Sequence, residues 1–95
     1  MNTTNDKTLK LVRLCKDVVT SVMAVDEFDK EDLNLMERTF NKAIADIRRQ
    51  HQRLSEAEVY RVVDRELILI QIETVSITLD AINKRFKETH APIHN

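Results

Sequence analysis

The sequence contains no glycine and no tryptophan, and its single proline, Pro92, lies close to the end. Glycine and proline are the residues that most often end helices and shape tight turns. A two-residue β-hairpin turn usually requires glycine, so this chain offers few places for a hairpin. Its 95 residues are enough for one domain. We therefore predict an all-α fold, a small bundle whose helices are joined by short polar links.

Cysteine and net charge are also scarce. Cys15 is the only cysteine, so no intrachain disulfide can form, and a reducing compartment is expected. The chain has fifteen basic and sixteen acidic residues, so its net charge is close to zero. Attraction of the whole protein to nucleic acid or an anionic membrane is therefore not expected. The first ten residues lack the apolar segment of a signal peptide, and no apolar run reaches membrane-spanning length. A cytoplasmic protein of bacterial or phage origin is the expectation.

The most apolar stretch runs from Val59 to Phe86 and centres on the segment Leu67-Ile68-Leu69-Ile70-Gln71-Ile72. Its β-branched residues would also suit a strand. A lone strand would leave its backbone groups without partners, and the rest of the chain shows no second strand. We therefore predict a helix.

Winding this stretch at 100° per residue produces two apolar faces, whereas a surface helix needs only one. Two shorter helices, about 30 Å long each, could cover one face. We expect the other face to pair with a second copy of the chain across a two-fold axis. The residues assigned to this dimer interface are Ile68, Ile72, Val75, Leu79, Ile82 and Phe86, and the second face consists of Val59, Val63, Leu67, Ile70 and Ile77.

Two helices are predicted before this stretch, at residues 6–25 and 30–52. Asn5 or Asp6 can cap the first helix and Asp29 the second. Cys15 lies within the broad apolar arc of the first helix, so a buried thiol is predicted. The second helix has a narrow apolar stripe suited to one covered face, formed by Leu33, Met36, Phe40, Ala43, Ile44 and Ile47.

The opposite face of the second helix is basic. Four cations recur there at spacings of four, seven and four residues beside one leucine, and together they are the partner-binding candidates Leu35, Arg38, Lys42, Arg49 and Arg53. Three interpretations remain open: a solvated face with local ion pairs, a contact surface for an acidic protein, or a phosphate-binding surface for nucleic acid. The last lacks the interleaved aromatic residues that single-stranded nucleic acid favours.

A capping box marks the predicted start of the third helix. Ser55 and Glu58 are three residues apart, and Leu54 and Val59 are placed to form a hydrophobic staple. The third helix is therefore predicted to span residues 56–87, leaving tails at 1–5 and 89–95. It is either continuous or kinked near Thr74, and a kink would produce a four-helix monomer instead of a dimer.

Residues with catalytic or metal-binding chemistry are few. His90 and His94 are four residues apart, but Pro92 prevents a helix that would align them. Glu66, Glu73 and Asp80 recur every seven residues and are expected to be solvated charges. We therefore predict no catalytic, cofactor-binding or metal-binding residues.

From Ile44 to Phe86 the pattern resembles the YmgB/AriR family of small enterobacterial biofilm and acid-resistance regulators, also called two-component-system connector proteins. Ile44 and Ile47 precede Leu54-Ser55 at the predicted turn, and Val59, Val63 and Leu67 follow at steps of four. The family often has glycine in this turn, where the chain has His51 and Gln52. The resemblance implies an all-helical dimeric regulator of signalling proteins, with DNA binding as a further property.

The expected function is that of a non-enzymatic regulator or adaptor that acts through protein–protein contacts as a homodimer, without a cofactor. Its other partner is expected to be a signalling or regulatory protein. One alternative is a nucleic-acid-binding transcriptional regulator that uses the basic face. Another is an inhibitor bundle like a bacteriocin-immunity or phage protein.

Overall fold

The computed structural model describes residues 3–26, 28–57 and 61–90, which form three α-helices. They are α1, Thr3–Ala24; α2, Lys30–Glu56; and α3, Val62–Thr89. The described ranges contain no strand, and the predicted all-α bundle of three helices is confirmed. Within these ranges no helix is both long and apolar enough to cross a membrane.

α1 and α2 both pack along α3, which is the shared element of the bundle. Gln71 of α3 contacts Thr8 near the start of α1, and Arg85 contacts Val25 just after its end, so α1 and α3 run parallel. The Phe28 ring, just before α2, lies 5.5 Å from that of Phe86 near the end of α3, so α2 runs antiparallel to α3. The result is a bundle 58 Å long and 22 by 21 Å across.

The core lies along one face of α3. Ile68, Val75 and Ile82, at steps of seven residues, are all 0% exposed. α1 contributes Cys15 and Val22, while Leu33 and Phe40 come from α2, with Phe28 from the link before it. The predicted stripe of α2 packs against this core, and the predicted burial of the Cys15 thiol is confirmed.

This burial makes the predicted location of the dimer interface wrong. Of the six residues assigned to it, Ile68, Val75 and Ile82 are buried within the chain, and Ile72, Leu79 and Phe86 are half-buried. The physical reason is that cover supplied by the same chain costs no translational freedom. The face of α3 that contains Ile68, Val75 and Ile82 is therefore covered by α1 and α2 of the same chain. Val63, Ile70 and Ile77, on the second face, remain exposed.

The predicted start of α3 at residue 56 is also wrong. Ser55 and Glu56 form the last turn of α2, and Ala57 closes it by donating its N–H to the carbonyls of Arg53 and Ser55. A capping box helps only where a helix begins. Here the preceding turn already binds these backbone groups, so helix continuation prevails. The other two residues of the box and staple, Glu58 and Val59, lie outside the described residues.

α3 begins six residues later, at Val62. Its N-cap residue Arg61 makes no side-chain capping bond, but donates instead to the Asp64 carboxylate at 2.9 Å. Asp64 in the first turn also favours the positive end of the helix dipole. The same carboxylate raises the pKa of the Arg61 guanidinium through the hydrogen bond and its charge.

The remaining boundaries are close to those predicted. α1 begins at Thr3, so neither Asn5 nor Asp6 is its cap, and α3 ends at Thr89. The Asp29 cap is confirmed, since its Oδ1 accepts the Asp32 N–H at 2.9 Å. α3 is one continuous helix through Thr74, so the kinked, four-helix alternative is wrong.

Candidate interaction surfaces

The basic face of α2 is exposed along its length. It is defined by the five partner-binding candidates, and the structure brings all of them to the outer side of the helix, away from the core: Leu35, Arg38, Lys42, Arg49 and Arg53. Leu35 is 58% exposed and is the apolar member of the face. The sequence prediction for this surface is therefore right in its geometry, because a helix with one narrow buried stripe must present the opposite side to solvent.

Carboxylates lie among these cations. Arg49 is hydrogen-bonded and ion-paired with Asp46, one turn earlier on α2. Arg38 shares a shallow surface depression with Glu31 and Glu37. Both members of the Arg49–Asp46 pair are exposed, so this pair contributes little to stability. The face is consequently a mixed-charge surface dominated by cations, with one exposed leucine at its edge.

A second exposed surface lies where α1 and α3 meet on the side remote from α2. We call it the α1–α3 face, and it comprises Val12, Val19 and Met23 of α1 with Ile70, Thr74, Ile77 and Ala81 of α3. Val12, Val19, Thr74 and Ile77 line one shallow groove between the helices, which continues past Met23 and Ala81. Ile77 is 59% exposed and Met23 54%.

Charged rows flank the α1–α3 face on both sides. On α3, Glu66, Glu73 and Asp80 are all exposed. The helical geometry puts them beside Ile70 and Ile77 on the flank opposite the α1-contacting residues. On α1, exposed Lys16 lines the groove and exposed Arg13 lies one turn before it. Exposed Lys84 follows Asp80 on α3 where the groove continues, and exposed Asp17 follows Lys16 on α1. Beside the centre of the groove the face therefore has an acidic rim on α3, formed by Glu73 and Asp80, and a basic rim on α1, formed by Arg13 and Lys16.

The side chains of Glu66, Glu73, Asp80, Arg13 and Lys16 form no ion pair with another described residue. The expectation that Glu66, Glu73 and Asp80 are solvated charges is confirmed for the described chain. Charges held beside an exposed apolar band without local partners are available to a molecule that docks there.

Two polar contacts hold α1 in register on α3 and so build this face. Buried Gln71 donates its Nε2–H to Thr8 Oγ1 at 2.9 Å, and the Thr8 hydroxyl donates to the Thr4 carbonyl at 2.7 Å. Arg85 donates Nη2–H to the Val25 carbonyl at 2.8 Å, just beyond the end of α1. α1 has no basic residue in its own last turn, so Arg85 supplies the cation that a helix C-terminus favours.

The remaining sequence candidates do not converge. His90 stacks on Phe86, with ring centroids 4.0 Å apart, and His94 lies outside the described residues. Across the described ranges, no three His, Cys, Asp or Glu side chains are grouped as metal ligands would be.

Sequence reasoning missed the contribution of α1 to the second surface. The signal was present, because the apolar residues of α1 spread over about half its circumference, more than one partner helix covers. Periodicity could not show which part of that arc lay beside α3.

Comparison of the chain with protein-family models, with curated proteins and with solved structures finds no match.

Proposed function

We propose that this protein is a small non-enzymatic regulator or adaptor that works as a homodimer and binds an acidic partner protein through the basic face of α2. The observation that carries the proposal is that one side of α2 is buried in the core and the other is exposed. Leu33 and Phe40 on one side are buried in the core. The five residues of the basic face on the other side are all exposed and contribute nothing to it.

The composition of the face supports a protein partner over nucleic acid. Phosphate-binding surfaces gain affinity from each uncompensated cation, whereas here Asp46 already neutralises Arg49. Leu35 adds an apolar contact, and interfaces generally combine such contacts with arginine side chains. The resemblance to the YmgB/AriR regulators implies the same class of function. The single cysteine, a buried free thiol, fits action in a reducing compartment such as the cytoplasm.

The test is charge reversal of the basic face. We expect a variant with Arg38, Lys42, Arg49 and Arg53 all changed to Glu to keep the wild-type helical circular dichroism, because surface pairs are each worth little. It should lose the partner that the wild type captures from its native host, measured by quantitative mass spectrometry.

The matched control reverses four exposed cations elsewhere, Lys7, Lys10, Arg48 and Lys87, and so carries the same net charge. It should retain the partner. Equal capture by both variants would reduce the basic face to solubilising surface. Equal loss would show an effect of total charge. A salt-dependent gel shift of nucleic acid by the wild type, abolished only in the basic-face variant, would favour the nucleic-acid alternative.

A further inference from the structure

The homodimer in the proposed function needs a new interface, since the face first assigned to it is internal. The α1–α3 face is an exposed apolar surface between two packed helices. Its half-exposed side chains, with Ile77 at 59% and Met23 at 54%, leave on the order of 400 Å² of apolar area, a patch size that is often functional. A stable dimer buries about 800 Å² per partner, so the charged rims must take part.

We infer that a second copy of this chain covers the α1–α3 face, related by a two-fold axis parallel to the helices. This inference rests on the homodimer of the proposed function and specifies where its interface lies.

The charge pattern of the rims selects both the occupant and the axis. A two-fold axis along the helices places the acidic rim of each copy against the basic rim of the other. A two-fold axis in the face but across the helices would instead place acidic against acidic and basic against basic. Juxtaposed like charges disfavour an interface.

The positions of the rim charges along the bundle axis agree with this arrangement. The groove joins Val12 and Val19 of α1 to Thr74 and Ile77 of parallel α3. Arg13 and Lys16 therefore lie at heights between Glu73 and Asp80. An axis parallel to the helices keeps these heights, so both opposite-charge pairings form together, and each forms twice in the dimer.

The shape of the face also suits a second copy. Thr74 and Ala81 have short side chains and leave the groove open, while Ile70 and Ile77 form a ridge beside it. Rotation about the parallel axis brings that ridge over the α1 side of the facing copy, where Val12 and Val19 lie. Apolar surface is then removed from water on both copies at once.

The first test is sedimentation equilibrium in the micromolar range. The wild type should have the mass of a dimer. Ile77→Glu should weaken association by about a hundredfold or more, because the symmetry buries the new charge twice. Leu14→Glu is the matched control, since Leu14 is 57% exposed but lies on the side of α1 opposite Val12, away from the face and its rims; it should remain dimeric. Circular dichroism checks that both variants stay helical.

The second test decides the axis by charge exchange. One variant carries Arg13→Glu with Lys16→Glu, and the other carries Glu73→Lys with Asp80→Lys. Each variant alone should dimerise about tenfold more weakly than the wild type, because both rim-to-rim contacts of its homodimer then bring like charges together. An equimolar mixture should restore association about either axis, because one variant is then acidic on both rims and the other basic on both. The loss in each variant alone decides the axis, since a two-fold axis across the helices would oppose like rims already in the wild type and neither variant would be weaker than it. All four positions are exposed, so these variants also decide the interface if Ile77→Glu fails to fold.

A monomeric wild type would overturn this inference together with the homodimer, while partner capture by the basic face of α2 is measured separately and would stand or fall by itself. A dimer unaffected by Ile77→Glu, or split equally by Leu14→Glu, would place the interface elsewhere. Variants that each dimerise as tightly as the wild type would refute the parallel axis, and a mixture that stays monomeric would show that the rims do not meet in the dimer.

Discussion

The hydrogen bond between Gln71 and Thr8 predicts a specific coupling between α1 and α3. Thr8→Val keeps the shape and the β-branching of the side chain but removes the oxygen that accepts the Gln71 Nε2–H at 2.9 Å. Gln71→Leu removes the donor and leaves an apolar side chain of similar size. Both side chains are buried, so the amide of Gln71 cannot turn to water when its acceptor is lost.

The expected magnitudes follow from that burial. Thr8→Val alone strands a buried donor and should lower the free energy of unfolding by about 2 kcal/mol, whereas removing both partners should be nearly neutral. The coupling energy of the double-mutant cycle should therefore be about 2 kcal/mol, and larger if Gln71→Leu alone also destabilises.

Thr20→Val isolates the intrahelical part of the effect. Thr20 donates to the Lys16 carbonyl at 2.9 Å just as Thr8 donates to that of Thr4, but it is exposed. Thr20→Val should change stability by less than about 0.5 kcal/mol.

Urea unfolding followed by circular dichroism measures all five proteins, and midpoints can be compared if the denaturant slope is unchanged. An equal cost of Thr8→Val with Gln or with Leu at position 71 would show that Thr8 and Gln71 are not coupled. A cost of Thr8→Val no larger than that of Thr20→Val would show the same.

Two further predictions concern the places where sequence and structure disagreed. Asp29→Ala should lower the free energy of unfolding by about 1 kcal/mol through loss of the α2 cap. Ser55→Ala, in the last turn of α2, should change that free energy by less than about 0.5 kcal/mol. A larger loss for Ser55→Ala would indicate that a helix starts there. Ile82→Ala should cost about 2–5 kcal/mol at every protein concentration, because its burial lies within one chain, and exposed Leu69→Ala should cost under about 1 kcal/mol. A concentration-dependent loss for Ile82→Ala would instead assign that face to an interface between copies.

Local chemistry was enough to predict the helices and several of their details. The lack of glycine removed hairpin turns, and the apolar spacing around Phe40 and Ile68 marked helical faces. The Asp29 cap was predictable because a cap involves only residues within one turn. The exposed basic face of α2 followed from its narrow buried stripe, since one covered side leaves the other to solvent.

Tertiary structure decided what depends on distant parts of the chain. Sequence showed two apolar faces on α3, but only the docking of α1 and α2 determined that Val75 is internal and Ile77 external. Gln71, a polar residue inside the most apolar segment, is explained by Thr8, 63 positions away. Ser55 looked like a helix start because a capping box is local, whereas continuation of α2 depended on the whole preceding helix. Periodicity measures which residues share a face, and burial depends on which helix covers that face.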